Sequence, residues 1–261
     1  MPSATTVPIR ACDVELRVQR GGKGAPLLFL PDAQIGASWL PFHDALAERF
    51  DVILPEHPGY GGGGDAPPWL EKVTDLANFY LDALAALDLT GVNLAGAALG
   101  GWIAAELATR NTARLASLTL IDPWGLRVDG APGVDPFASG DEQSVRDLFA
   151  DPKAADASVA RILAPEGEDA LLKGKMITAK LGWQPRLHDP LLGKWLHRID
   201  VPTLILWGGG DRLLPPAYGA AWHKAIAGST LTTIAGAGHL PHVEKPSETA
   251  AAIANFRRNA K

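Results

Sequence analysis

A chain of 261 residues, 47% apolar, with 28 glycines and 21 prolines, has the size of one α/β domain carrying an insertion, which excludes a disordered chain, a collagen or a repeat array. The 24 basic residues against 29 acidic ones give a net charge of −5 without a block of like charge, so no nucleic acid partner is expected; one cysteine, Cys12, excludes an internal disulfide and a cysteine-based metal cluster. Residues 1–10 hold no apolar signal core, and the longest near-apolar stretch, 92–108, is broken by Asn93, Glu106 and glycines, so the expectation is a cytoplasmic chain with no membrane span.

Val14, Leu16 and Val18 alternate with Glu15, Arg17 and Gln19 ahead of Gly21-Gly22, the pattern of a half-buried strand ending in a turn. Later strand-like runs differ. Leu27-Leu28-Phe29-Leu30, Val52-Ile53-Leu54, Val92-Asn93-Leu94-Ala95, Leu118-Thr119-Leu120-Ile121 and Leu204-Ile205-Leu206-Trp207 are short and mostly apolar, as strands covered on both faces must be. Helical periods run between them at 39–50, through Leu70, Val73, Leu76, Tyr80, Leu84 and Leu87, and at 102–109. This alternation predicts a mostly parallel, doubly wound α/β sheet. The rhythm stops after Asp122-Pro123 and resumes at Asp200-Val201-Pro202. Helix-like pieces at 142–150, 156–163, 169–181 and 191–197 fill the gap, so residues 123–199 are expected to form a helical cap on a core made of 1–122 and 200–261.

The cap carries Trp124, Phe137, Phe149, Met176, Trp183 and Trp195. Each alone reads as packing, but as a set they favour a small apolar or aromatic substrate over a sugar or a phosphate.

In Val92-Asn93-Leu94-Ala95-Gly96-Ala97-Ala98-Leu99-Gly100-Gly101-Trp102 a buried strand runs into a helix through small residues on both sides of position 98. Glycines two before and two after a turn residue allow a strained turn that presents the central side chain at the carboxyl edge of the sheet, the shape of a nucleophile elbow. A plain small-residue turn fits these residues equally well. Farther on, the run 202–207 leads into Gly208-Gly209-Gly210-Asp211-Arg212, and the run 229–234 leads into a Gly/Pro loop holding His239 and His242. A nucleophile needs an imidazole to take its proton and a carboxylate to orient the imidazole, in the order nucleophile, acid, base for this architecture. Ala98, Asp211 and His239 stand at those places in that order.

Other motifs are weaker. Gly59, Gly61 and Gly64 satisfy G-x-G-x-x-G, but Asp65-Ala66-Pro67-Pro68 follows, so the glycines open no helix and no dinucleotide is expected. His239, His242 and Glu244 have a spacing that suits a metal, yet they share a Gly/Pro loop rather than a helix face, so no metal and no other cofactor is assigned. His57, His188, His197 and His223 read as surface or packing residues, His57 being the one that borders the loops.

Taken together the motifs resemble the α/β-hydrolase superfamily over nearly the whole chain. Within it the chain is most similar to small esterases, lactonases and carbon–carbon bond hydrolases related to meta-cleavage product hydrolases. Gly36-Ala37-Ser38-Trp39 resembles the tail of the family's oxyanion loop, Glu56-His57-Pro58-Gly59-Tyr60-Gly61 its second loop, and the stretch 238–246 its histidine loop. The resemblance implies Ser-His-Asp hydrolysis of an apolar or aromatic ester, a lactone or a vinylogous ketone. Position 98 is then the nucleophile, His239 the base and Asp211 its orienting acid, with Asp122 the alternative because some members place the acid at that strand end. Backbone N–H groups of Ala33 and Leu99 would form the oxyanion hole, and Asp32, Trp124, Phe137, Trp183 and His242 would contact substrate.

Two residues depart from the family. Pro31-Asp32 stands where the family has His-Gly, a change that also resembles zearalenone-cleaving lactonases; an ionised Asp32 would oppose the developing oxyanion, so its side chain is expected to turn away. The other departure is Ala98, because a methyl group cannot attack a carbonyl. Three readings stay open: a serine-to-alanine change that traps substrate, a natural loss that leaves a binding protein, or a site in which His239 works alone as general base. The expected partner is a small molecule, with a homodimer left open.

Overall fold

The computed structural model describes residues 3–9, 12–61 and 64–259. Its strands are β1 (Ser3–Ile9), β2 (Val14–Gly22), β3 (Ala25–Leu30), β4 (Phe50–Pro55), β5 (Val92–Ala97), β6 (Leu115–Ile121), β7 (Thr203–Gly208) and β8 (Thr230–Ile234), joined in the order β1-β2-β4-β3-β5-β6-β7-β8. β2 pairs antiparallel with β1 and β4; every later pairing is parallel. The apolar runs are continuous because both faces are covered. Along β3, Leu28 and Leu30 enter one core cluster while Leu27 and Phe29 enter the other.

Helices α1 (Pro41–Ala47), α2 (Val73–Ala86) and α3 (Leu99–Arg110) fill the first crossovers. The β6–β7 connection carries α4 (Asp141–Arg146), α5 (Pro152–Ile162), α6 (Pro165–Gly182) and α7 (Leu192–Trp195), and α8 (Pro216–Ala225), α9 (Pro241–Glu244) and α10 (Pro246–Asn259) follow. α2, α3 and α8 pack on one face of the sheet, α1 and α10 on the other.

A third cluster joins Val145, Leu148, Phe149 and Leu171 of the β6–β7 connection to Ile35, Leu213 and Leu240, so these helices rest on the loops that follow β3, β7 and β8. Phe149 is a packing residue in this cluster. Met176, Trp183 and Trp195 are 64%, 56% and 46% exposed and take no part in it. The sequence pattern shows neither β1, whose residues Ser3–Ile9 mix polar and small side chains, nor α8 and α10, which are short of large apolar residues.

Candidate active site

The turn from β5 to α3 holds Ala98 at φ +47° and ψ −110°. A residue with a Cβ is rare there, and such a backbone costs about 1–3 kcal/mol and persists only where its surroundings fix it. Here they do. Ala98 N–H donates to the Ile121 carbonyl at 2.9 Å, and its own carbonyl accepts from Trp102 N–H and Trp124 N–H, both at 3.1 Å. A Cβ at Gly96 would run into the Gly100 backbone, and one at Gly100 into the carbonyls of Leu30 and Pro31, so only glycine lets strand and helix come this close.

The loop after β7 turns Asp211 inward. Its Oδ1 accepts from Leu213 N–H at 2.8 Å and Leu214 N–H at 3.1 Å, and its Oδ2 lies 2.8 Å from His239 Nδ1, with both side chains fully buried. The histidine loop is fixed in turn: His239 N–H donates to the Leu148 carbonyl at 2.8 Å, and Glu244 Oε1 accepts from Ala150 N–H and Asp151 N–H at 2.9 and 2.8 Å. Glu244 also accepts from Gly238 N–H. Its carboxylate thus ties the loop carrying His239 to the β6–β7 connection.

Asp122, with both oxygens accepting from Gly208 N–H at 2.9 and 3.1 Å, faces the same pair. Burial first, and then the charge of Asp211, push its pKa well above the ordinary carboxylate value. Burial and the neighbouring charge thus favour the protonated form of Asp122, and Asp211 is the acid that His239 meets at 2.8 Å.

The other ring nitrogen of His239 is also engaged. Trp124 Nε1–H donates to His239 Nε2 at 2.9 Å, with the two rings 20° from parallel. An indole N–H can only donate, so Nε2 presents its lone pair and the ring proton is on Nδ1, pointing at Asp211. The His239 ring is thus held at both nitrogens, Nδ1 by Asp211 and Nε2 by the indole. The sequence offered no signal for this contact between residues 115 apart.

Ala33 N–H and Leu99 N–H have no protein partner among the described residues, and Leu99 opens α3, where the helix dipole favours negative charge. The Asp32 side chain is turned back into its own loop: Oδ1 accepts from Gln34 N–H and Ile35 N–H at 2.8 and 2.7 Å, and Oδ2 stands 3.7 Å from His242 Nε2. Burial raises the Asp32 pKa, but His242 and these two N–H groups outweigh it and hold the carboxyl below its usual range. His43, absent from the sequence reading, packs beside them against Phe29 and Phe42; burial, and then the charge of His242, lower its pKa to about 3, so it is neutral.

A depressed folded-state pKa stabilises the fold above the unfolded value, about 3.9, and that contribution fades as pH falls through the folded value. Asp32→Asn, which keeps an acceptor for the two N–H groups but loses the charge facing His242, is expected to cost about 2 kcal/mol at pH 7. Urea melts should show this gap closing below pH 4; a gap that is constant with pH would mean that the charge plays no part.

His57, fully buried, donates from Nε2 to the Pro31 carbonyl at 3.0 Å and accepts from Tyr80 O–H at 2.6 Å, and burial lowers its pKa to about 4. It braces the loop after β3 as a neutral ring. His197 and His223 are exposed, and His188 is half-buried. Of the expected substrate contacts, Trp124 and Phe137 line a small cavity next to Ala33, and Asp32 lines a larger one of about 330 Å³ between the loop after β3 and α5–α6. Trp183 and His242 line neither: Trp183 stacks on the Arg186 guanidinium at 3.7 Å, and His242 is packed beneath the loop between Phe29 and Phe42. Ligand atoms of Asp122, Asp211 and His239 lie within 4.8 Å of one another. Each of the three also takes part in the hydrogen bonds described above.

A family model described as "Alpha/beta hydrolase family" matches residues 27–252. The chain belongs to this family. It is 31% identical over 241 residues to the putative carbamate hydrolase RutD of Azorhizobium caulinodans, covering 87% of this chain and 83% of the relative. It is 28% identical over 255 residues to the pimeloyl-[acyl-carrier protein] methyl ester esterase of Neisseria meningitidis, covering 87% and 95%. Among solved structures, a membrane phospholipase A described as a bacterial virulence factor superposes with a TM-score of 0.85 at 25% identity, covering 99% of this chain and 86% of the other. Among the described residues no helix is long and apolar enough to cross a membrane.

Proposed function

We propose that this is the site of a carbonyl hydrolase, acting on an apolar or aromatic ester, a lactone or a vinylogous ketone, whose covalent step is missing because position 98 is alanine. The observation that carries the reading is the backbone at Ala98: φ +47° is strained for a residue that gains nothing from it, and Trp124, whose backbone N–H donates to the Ala98 carbonyl, donates from its ring to the oriented His239–Asp211 pair. The names of the relatives, a carbamate hydrolase, a methyl ester esterase and a phospholipase A, support the same bond type.

With a serine at 98 the proposed reaction would run on Ala33, Leu99, Asp211 and His239. The hydroxyl oxygen bonds to the carbonyl carbon, its proton passes to His239 Nε2, and the resulting oxyanion accepts from Ala33 and Leu99 N–H. The same proton then goes to the leaving alkoxide or carbanion, and water repeats the cycle on the acyl-enzyme. As the chain stands, the first bond cannot form.

Intact-mass spectra after mixing with p-nitrophenyl butyrate test the reading. The unchanged chain should gain no acyl mass and Ala98→Ser should gain one acyl group; an adduct on the unchanged chain would place the nucleophile elsewhere. A second reading, a binding protein on the same fold, is favoured by one observation: the indole of Trp124 already satisfies the nitrogen that catalysis would use.

A further inference from the structure

Trp124 is 3% exposed, and the cavity beside it, lined by Ala33, Gln34, Phe137, Leu171 and Thr178, measures about 20 Å³. That is room for one water and no substrate. Larger cavities of about 330 and 210 Å³ lie to either side. The first shares Ala33, Gln34 and Leu171 with the small one, and the second shares Trp124 and Pro136 with it. The indole therefore stands at the centre of a series of cavities under the cap, and the same ring covers the accepting nitrogen of His239.

We infer that Trp124 is a gate and a built-in stand-in for the ligand: it fills the ring position over His239, and the ligand that displaces it is a flat aromatic bearing an N–H or O–H donor for Nε2, of the phenol or indole class. The chemistry follows from what the indole satisfies. Nε2 is a fully buried acceptor held in one tautomer by Asp211, so a displacing group that brings no donor leaves that lone pair unpaired. Phe137 and Leu171 on one side and Leu126, Leu187, Leu214 and Tyr218 on the other offer apolar surface to a ring, while Lys175 and Thr178, and Arg127, Asp135, Arg186 and His188, add polar groups to the two cavities. The second cavity gives the displaced indole, or the rest of the ligand, a place to go. The inference rests on the proposed function only in treating Nε2 as the reactive nitrogen.

Free indole and indene, the same shape without the N–H, test it in Trp124→Ala, which vacates the ring position. Both should raise the melting temperature, and indole should bind about fivefold more tightly, the ratio expected of one net hydrogen bond. In Trp124→Ala combined with His239→Phe the two should bind equally. Should Trp124→Ala fail to melt cooperatively alone, recovery of the transition with indole and less with indene is the same readout. Equal binding to the single variant, no binding or recovery with either compound, or a preference that survives His239→Phe overturns the inference. No turnover enters the measurement, so it stands or falls independently of whether Ala98→Ser hydrolyses esters.

Discussion

Ala98→Ser is expected to hydrolyse p-nitrophenyl acetate and butyrate at least about 10³-fold faster than the unchanged chain. Removing the nucleophile of a serine hydrolase costs on the order of 10⁶ in kcat, and the proposed site would supply the rest: a strained turn at position 98, His239 with its lone pair at Nε2, and the Ala33 and Leu99 N–H donors. The gain falls short of the full factor because the new hydroxyl must compete with the Trp124 indole, and both donate to the same lone pair. Trp124→Phe in the same background removes the competitor, so the rate should rise again. Release of p-nitrophenol is the measurement. A folded Ala98→Ser chain that stays at the unchanged rate across esters and lactones would leave the binding-protein reading in place.

The competition between hydroxyl and indole also shows how far the sequence could be read. The strands were legible because β3, β4, β5 and β7 lie inside two helix layers, which demands unbroken apolar runs. The elbow was legible because strand–helix approach at Gly96 and Gly100 admits no Cβ. Contacts between distant loops left no such trace. Trp124 looked like any cap aromatic until the fold set it on His239, and Asp32 looked like a charge in an oxyanion loop until His242 came up beneath it. Trp183, read as a substrate contact, instead stacks on Arg186 three residues along the chain, a local pairing that composition cannot separate from a pocket wall. Side chains whose role depends on a partner more than a hundred residues away are where a single sequence is silent.

The acid can be assigned by the same reasoning, with a large expected effect. In the Ala98→Ser background, Asp211→Asn should lower kcat by roughly 10⁴, the cost seen when an amide fixes the wrong tautomer of a catalytic imidazole. Asp211 Oδ1 accepts from Leu213 and Leu214 N–H, so the amide oxygen of an asparagine will keep that place and its NH₂ will face His239. Nδ1 must then accept, the ring proton moves to Nε2, and the serine hydroxyl loses its base. Asp122→Asn should cost less than tenfold. Burial and Asp211 push the Asp122 pKa up, toward the neutral form, and an amide keeps an acceptor for Gly208 N–H and offers a donor to its neighbour. The two single-variant rates, with folding checked by thermal melts, decide between the carboxyls. If Asp122→Asn proves the more damaging, the working acid lies after β6, and the 2.8 Å bond between Asp211 and His239 only orients the ring.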